Sequence, residues 1–326
     1  MNKGADMPKK KILITESSGY VGYVLSKFFS ENKIQVVGLS LHENHAWKGN
    51  ENFRFYSCDI TDQKKLEEIF EKESPTHVIH LAFLMDPIHD TRREYDIDVN
   101  GSKYVLEVAN STKTVQQFIQ FSSSSAYGAW PDNKLWIRED APLRPRDYRY
   151  GIHKKEVEEY YNSFEKRKDL KMVIVRMCTA IGPLYHKKGG VVSILVNSPF
   201  LLRPNGRYCE LQFIHEDDLT EIIGLMINDR ELEGTYNLAP DSSSTTKELS
   251  PEKKFIYVPL AFMRGVIWVL WHLRLAGIMP SAITLSTYGI VVDPKKLMEQ
   301  YNYKFKYTTL FGFRDTVLKR KLLGTL

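Results

Sequence analysis

The chain has 326 residues, enough for a sizeable core, either as one large α/β unit or as two fused lobes. Its 43% hydrophobic and 26% charged residues suit a soluble globular protein and exclude a disordered or fibrous one. A net charge of +5 is mild at this length; it favours small anions slightly, and without a dense basic run it excludes nucleic acid as the expected partner.

Lys9-Lys10-Lys11 and Lys319-Arg320-Lys321 read as solvated ends. Cys58, Cys178 and Cys209 are scattered and odd in number, so they predict a reducing compartment rather than a disulfide framework or a zinc site. Met1 to Lys11 is polar and lacks the apolar centre of a secretion signal, which makes the cytoplasm the expected location.

In chain order, Lys11–Thr15 reads as a strand, Tyr20–Asn32 as a helix and Ile34–Leu39 as a second strand. Phe53–Ser57 is a short third strand and Asp62–Glu71 an amphipathic helix. His77–Ala82 and Gln117–Phe121 are strands separated by a helix over Gly101–Asn110. Met172–Arg176 follows a helix over Lys154–Phe164. Strands alternating with helices predict right-handed crossovers and a Rossmann-type, doubly wound parallel sheet. From about Cys178 the rhythm breaks. Lys188–Arg207 and Asp241–Lys254 read as loops. The expected division is a dinucleotide-binding domain over residues 1–177, its sheet completed by later segments, and a smaller, mainly substrate-binding lobe over 178–326. Phe255–Met279 is strongly apolar, yet Pro259, Arg264, His272 and Arg274 interrupt it. It fails the test for a spanning helix and predicts a buried or pocket-lining helix of the second lobe, with interfacial membrane contact as the alternative.

Directly after the first strand comes Glu16-Ser17-Ser18-Gly19-Tyr20-Val21-Gly22, opening a helix. Gly19 there lets the backbone approach phosphates at the helix N-terminus, and Gly22 lets the helix pack against the strand. The second strand ends in Leu39-Ser40-Leu41-His42, with neither the acid that would grip NAD ribose hydroxyls nor an arginine suited to NADP, so NAD or NADP remains open. Asp59, after the third strand, is placed either to accept from an adenine amino group or to serve as a helix N-terminal charge.

Tyr150 and Lys154 lie one helical turn apart. A neighbouring ammonium stabilises a phenolate, so Tyr150 could take a hydroxyl proton while hydride leaves the same carbon. Upstream, Phe121-Ser122-Ser123-Ser124-Ser125-Ala126-Tyr127-Gly128 ends a strand at its carboxyl end, where ligands sit in open α/β sheets. A hydroxyl of this run could orient a substrate oxygen.

These residues resemble the extended short-chain dehydrogenase/reductase superfamily, in its NAD-dependent epimerase/dehydratase branch. The likeness rests on Thr15–Gly22, Cys58–Asp62, His80-Leu81-Ala82, Asn100-Gly101-Ser102, Ser122–Gly128, Tyr150–Lys154, Arg176, Gly182-Pro183, Phe213–Asp218 and Gly234–Asn237. The resemblance implies Ser123, Tyr150 and Lys154 as catalytic residues. It implies a cofactor lined by Glu16, Gly19, Tyr20, Val21, Gly22, Ser40, Asp59, Ile60, Leu81, Ala82 and Asn100, with Tyr150 and Lys154. Substrate would meet Phe83, Met85, Ser123, Ser124, Thr179, Arg207 and Leu211. His215 and Asp217 match a chiefly structural motif, and a homodimer is expected from the likeness alone.

Three positions depart from the pattern. Glu16 replaces the first turn glycine, Thr179 an asparagine and Leu211 a diphosphate-binding arginine. The expected activity is an NAD(P)-dependent epimerase or dehydratase of a sugar nucleotide. Arg207 then replaces the missing cation, ahead of Lys187, Lys188 and Arg203. The alternatives are a dehydrogenase or reductase of a less polar alcohol, lined by Phe83, Leu84, Met85, Leu211 and parts of Phe255–Met279, and a non-catalytic dinucleotide sensor favoured by Glu16.

Overall fold

The computed structural model describes residues 10–44, 47, 49–185 and 190–326; Lys9, Lys187 and Lys188 lie outside the described residues. The first half alternates β1 (Lys11–Thr15), α1 (Tyr20–Glu31), β2 (Gln35–Ser40), β3 (Phe53–Ser57), α2 (Gln63–Glu73) and β4 (His77–His80). Next come α3 (Thr91–Tyr95), a π-helical turn over Asp96–Gly101, α4 (Ser102–Ser111), β5 (Gln117–Ser123) and a 3₁₀ turn over Ser124–Tyr127. α5 (Arg149–Ser163), β6 (Lys171–Met177) and β7 (Thr179–Ile181) follow. The remainder contains α6 (Val191–Asn197), β8 (Phe200–Pro204), β9 (Glu210–Leu211), β10 (Phe213–His215), α7 (Glu216–Asn228), β11 (Gly234–Leu238) and β12 (Ser244–Thr245). It closes with α8 (Thr246–Leu249), β13 (Lys254–Val258), α9 (Leu260–His272), a 3₁₀ turn over Pro280–Ser286, α10 (Lys295–Tyr301) and α11 (Thr309–Leu322).

Seven strands form one sheet in the order β11-β6-β5-β4-β1-β2-β3, and every pairing in it is parallel. The strand order reverses between β1 and β4, the switch point where doubly wound sheets open a crevice beyond their carboxyl ends. Period-two alternation gives each face its own core. Ile12 and Ile14 pack with Leu25, Phe29, Leu219 and Ile223 of α1 and α7. Leu13 points the other way, into a cluster with Leu66, Phe70, Val105 and Val157 of α2, α4 and α5. Burial on both faces explains why these strands read as near-continuous apolar runs.

The second half differs from expectation in three places. Lys188–Arg207 is not all loop: Val192 and Leu195, three apart on α6, are buried with Leu201 of β8 against Phe213, Leu249 and Phe313. β8 pairs in parallel with β13, so a partner some 50 residues further on turns an ambiguous apolar run into a strand. Asp241–Lys254 likewise holds β12 and α8, the latter started by a capping box between Thr245 and Glu248.

Phe255–Met279 is not a buried helix. It begins as strand β13, and of α9 only Trp271 is buried. Met263, Ile267 and Leu270 rest partly against the protein, while Phe262, Val266, Trp268, Val269 and Leu273 face outward. An apolar pattern around the whole circumference says nothing about which side the protein covers.

Candidate active site

At the end of β1, Thr15 is fully buried and its hydroxyl ties the switch point together. The Thr15 Oγ1 accepts from the backbone N–H groups of Leu81 (2.9 Å) and Ala82 (3.0 Å) and lies 2.8 Å from His80 Nδ1. His80 Nε2 reaches the Ser102 hydroxyl at 3.0 Å. Burial holds the His80 imidazole down to about 3, with the Lys154 charge acting in the same direction, so it serves as a neutral spacer. This arrangement fixes the ends of β1 and β4 beside the crevice.

The turn after β1 places Gly19 as the N-cap of α1. The cap carries no side-chain hydrogen bond, and the first turn holds no acid. Free N–H groups at such an end suit a phosphate. A Cβ on Gly22 would lie 2.1 Å from the Glu16 carbonyl oxygen, so only glycine allows this close packing. Glu16 itself adopts φ 55°, the left-handed region a glycine would occupy at no steric cost. Its carboxylate folds over Gly19, with Oε1 3.1 Å from where a Gly19 Cβ would stand. Burial raises its pKa above the ordinary carboxylate value, opposed by His42. The turn therefore fits a dinucleotide in backbone and shape, and departs from the simplest cradle in this one charge.

Around the turn, the Ser18 N–H donates to Ser40 Oγ at 3.3 Å. Ile60 packs against Gly101, where a Cβ would meet its side chain at 2.7 Å. Asn100 donates to Asp96 at 2.8 Å. Val21 is half-buried against the core. Two of the expected cofactor contacts have other commitments. Tyr20 turns away to donate to Glu216 Oε2 at 2.7 Å and meets Tyr185 edge-on. Asp59 accepts from the Thr61 N–H at 3.0 Å and hydroxyl at 2.8 Å and pairs with Arg93. The N-terminal charge that caps α2 is Asp62.

The three residues expected to do chemistry come together at the carboxyl end of β5. Ser123 is buried close enough to the Tyr150 hydroxyl to lower its pKa, and its Oγ accepts from the Ser125 N–H at 3.1 Å. Lys154 is buried one turn along α5, its Nζ 5.6 Å from the Tyr150 ring centroid. The Phe83 ring covers that ammonium at 3.6 Å and meets Tyr150 edge-on at 5.3 Å. Burial pulls Lys154 down to about 7, against the opposing pull of Asp98 and Glu158. Burial pushes the Tyr150 phenol well above its usual value, reinforced by Tyr148 and Asp98, while the Ser123 hydroxyl acts the other way. In this state the Tyr150 phenol keeps its proton.

Four residues that the sequence reading passed over hold α5 in place. Arg149 forks onto Glu94 at 2.9 and 2.8 Å, and His153 Nδ1 lies 2.9 Å from Asp98. Glu94 and Asp98 also accept from the backbone N–H groups of Ile88 and Leu84. The signal was present: Arg149/His153 and Glu94/Asp98 are both four-residue pairs, matching Tyr150/Lys154. Deeper, Arg176 pairs with Glu158 at 2.7 Å and donates to the Tyr127 hydroxyl at 2.8 Å; Glu158 also accepts from Ser122.

The expected substrate contacts scatter more widely. Ser124 starts the 3₁₀ turn beside Ser123, Met85 is exposed, and Thr179 is an exposed start to β7. Leu211 sits in β9 opposite Ser244 and packs on the second-half cluster. Arg207 is exposed over the Tyr288 ring at 5.5 Å, and Arg203 reaches the Tyr208 hydroxyl at 3.1 Å. His215 caps α7 and stacks on Tyr307, a structural role.

Both the sheet order and this site are those of a dinucleotide-dependent oxidoreductase fold. The chain belongs to the NAD-dependent epimerase/dehydratase family, whose sequence profile matches residues 12–239.

Among its relatives, a dTDP-D-glucose 4,6-dehydratase of Dictyostelium discoideum is 27% identical over 80% of this chain and 64% of its own length. A UDP-glucuronate 4-epimerase of Thermodesulfobacterium geofontis is 28% identical over 52% of this chain and 56% of its own. The chain thus spans less than two thirds of these relatives. The Bordetella bronchiseptica enzyme WbmG, solved with NAD and UDP, shares the fold with a TM-score of 0.78 at 18% identity, covering 96% of this chain and 94% of that one. UDP-glucose 4-epimerase of Thermotoga maritima, solved with UDP-glucose, gives 0.75 at 22% identity, covering 96% and 99%.

Proposed function

We propose that this chain is an NAD-dependent epimerase or dehydratase acting on a sugar nucleotide, with Tyr150 as its acid/base. The observation that carries the reading is the convergence of Ser123, Tyr150 and Lys154 at the carboxyl end of β5, beside the switch point. A non-catalytic sensor has no use for that convergence. NAD, when bound, supplies the hydride acceptor. Ser123 orients a substrate oxygen through its hydroxyl. Tyr150 exchanges a proton with that oxygen, and Lys154, when charged, lowers the cost of the phenolate. The residues fit the cofactor through the uncapped N-terminus of α1, the small Ala82 and Lys154.

The sugar-nucleotide class draws support from the activities of the relatives. A diphosphate needs a cation, and with Leu211 in the usual arginine position the reading assigns that task to Arg207. A less polar alcohol is the second reading, favoured by Leu211 packing into an apolar cluster and by Phe83 over Lys154. Calorimetry with UDP and dTDP separates the two. Micromolar binding that falls about ten-fold in Arg207→Ala supports the nucleotide reading, and absence of binding by either nucleotide promotes the alcohol. A cytoplasmic homodimer, with cofactor binding in residues 1–177 and substrate binding mainly in 178–326, belongs to the same proposal. The buried free thiols of Cys58, Cys178 and Cys209 suit that compartment.

A further inference from the structure

Helix α9 presents an apolar surface to solvent over most of its circumference. Phe262, Val266, Val269 and Leu273 follow at four-, three- and four-residue steps and form one outward stripe, with Trp268 beside it. Phe262 is 65% exposed and Trp268 55%, and beyond the helix Leu275 is 72% exposed. Lone exposed apolar side chains are ordinary, but a contiguous patch of this kind marks a contact surface.

Charge decides among occupants. From Lys253 through Val292 the sequence contains no aspartate or glutamate, while Lys253, Lys254, Arg264 and Arg274 lie within that stretch. Arg264 pairs with Asp147; Arg274, just past the helix, has no ion-pair partner among the described residues. A bulky apolar stripe, a tryptophan and an unpaired Arg274, in a stretch with no acid of its own, match an anionic lipid headgroup layer over an apolar interior. A second copy would set like charges against each other. Among the described residues no helix is long and apolar enough to cross a membrane, and a 13-residue helix measures roughly 20 Å against a hydrocarbon core of about 30 Å. The fitting geometry is therefore a helix lying in the headgroup plane.

We infer that α9 docks this protein onto anionic bilayer surfaces, with Phe262, Val266, Trp268 and Leu273 entering the headgroup region and Arg274 meeting lipid phosphates. The inner side of α9 adjoins segments that flank the catalytic tyrosine. Trp271 stacks on His89 at 4.1 Å in the segment after β4, and Arg264 holds Asp147, three residues before Tyr150. Docking thus brings the rim of the site to the lipid surface.

The test is flotation of the full chain with vesicles of phosphatidylcholine alone and with about 30% phosphatidylglycerol, an anionic lipid content that attracts basic segments. The expected result is recovery with the anionic vesicles at least about ten-fold above that with neutral ones, lost in a Phe262→Glu/Trp268→Glu variant and weakened in Arg274→Glu. All three side chains are exposed, so NAD binding and the melting temperature should be retained and serve as controls for folding. A wild-type chain that stays unbound with anionic vesicles overturns the inference. So does a double variant that floats as well as wild type, or a wild-type dimer in sedimentation that the double variant splits, which would make a second copy the occupant.

Discussion

Lys154 donates a 2.7 Å hydrogen bond to the carbonyl of Phe121, the residue two before Ser123 on β5. The ammonium that the proposed reaction would use is thus anchored to the strand that carries the proposed orienting hydroxyl, and helix and strand position the three groups as one unit. Tyr150→Phe and Ser123→Ala are expected to lower turnover about 10²–10⁴-fold and about 10²-fold. NAD affinity, read by calorimetry, should stay within about three-fold of wild type. Wild-type turnover in Tyr150→Phe would remove the tyrosine from the reaction.

Burial of Lys154 has a cost that depends on pH. Its folded pKa is lowered to about 7 from an unfolded value of 10.5. Between those values the unfolded chain binds more protons than the folded one, so this group's penalty shrinks as pH rises from 7 towards 10.5 and is greatest below 7. Lys154→Met removes the penalty. Its stability relative to wild type in urea titrations is expected to be higher at pH 6 than at pH 9 by roughly 2 kcal/mol. An equal difference at both pH values would show that Lys154 is not held near neutrality.

Glu16 stands at φ 55° with its carboxylate over Gly19, where a dinucleotide phosphate would approach. The hypothesis is that it weakens cofactor binding. Glu16→Gly should tighten NAD at pH 8 by about three-fold or more. A ten-fold loss would instead mean that the carboxylate grips a cofactor hydroxyl. Calorimetry decides the sign.

The fork from Arg149 to the buried Glu94 fixes the first turn of α5, next to Tyr150. Arg149→Met leaves that carboxylate without its cation and is predicted to cost about 2 kcal/mol in urea unfolding, a value reduced for the partial exposure of Arg149. Because Tyr150 loses its register, kcat should fall more than KM changes. A variant as stable as wild type would contradict this role for the pair.

Most strands of the main sheet were legible because they are buried on both faces and bounded by turns; β3, though only partly buried, and β1 fall where their β-branched and aromatic runs lie, while β11 was not read as a strand. The Tyr150/Lys154 spacing and the Ser122–Ser125 run were legible for the same local reason. Long-range commitments were not. Tyr20 bonds Glu216 across 196 positions, and Asp98 meets His153 across 55. β8 becomes a strand only because β13 lies beside it. The outward side of α9 was hidden for a different reason: apolar residues on every side remove the periodic contrast that tells inside from outside.

The most direct test of the central claim is to load the chain with NAD and follow nicotinamide absorbance after adding UDP- and dTDP-hexoses, in wild type and Tyr150→Phe. Transient reduction of the nicotinamide by at least one sugar nucleotide in wild type, and none in Tyr150→Phe, is the predicted result. Reduction that persists unchanged in Tyr150→Phe, or that occurs only with alcohols lacking a nucleotide, would contradict it.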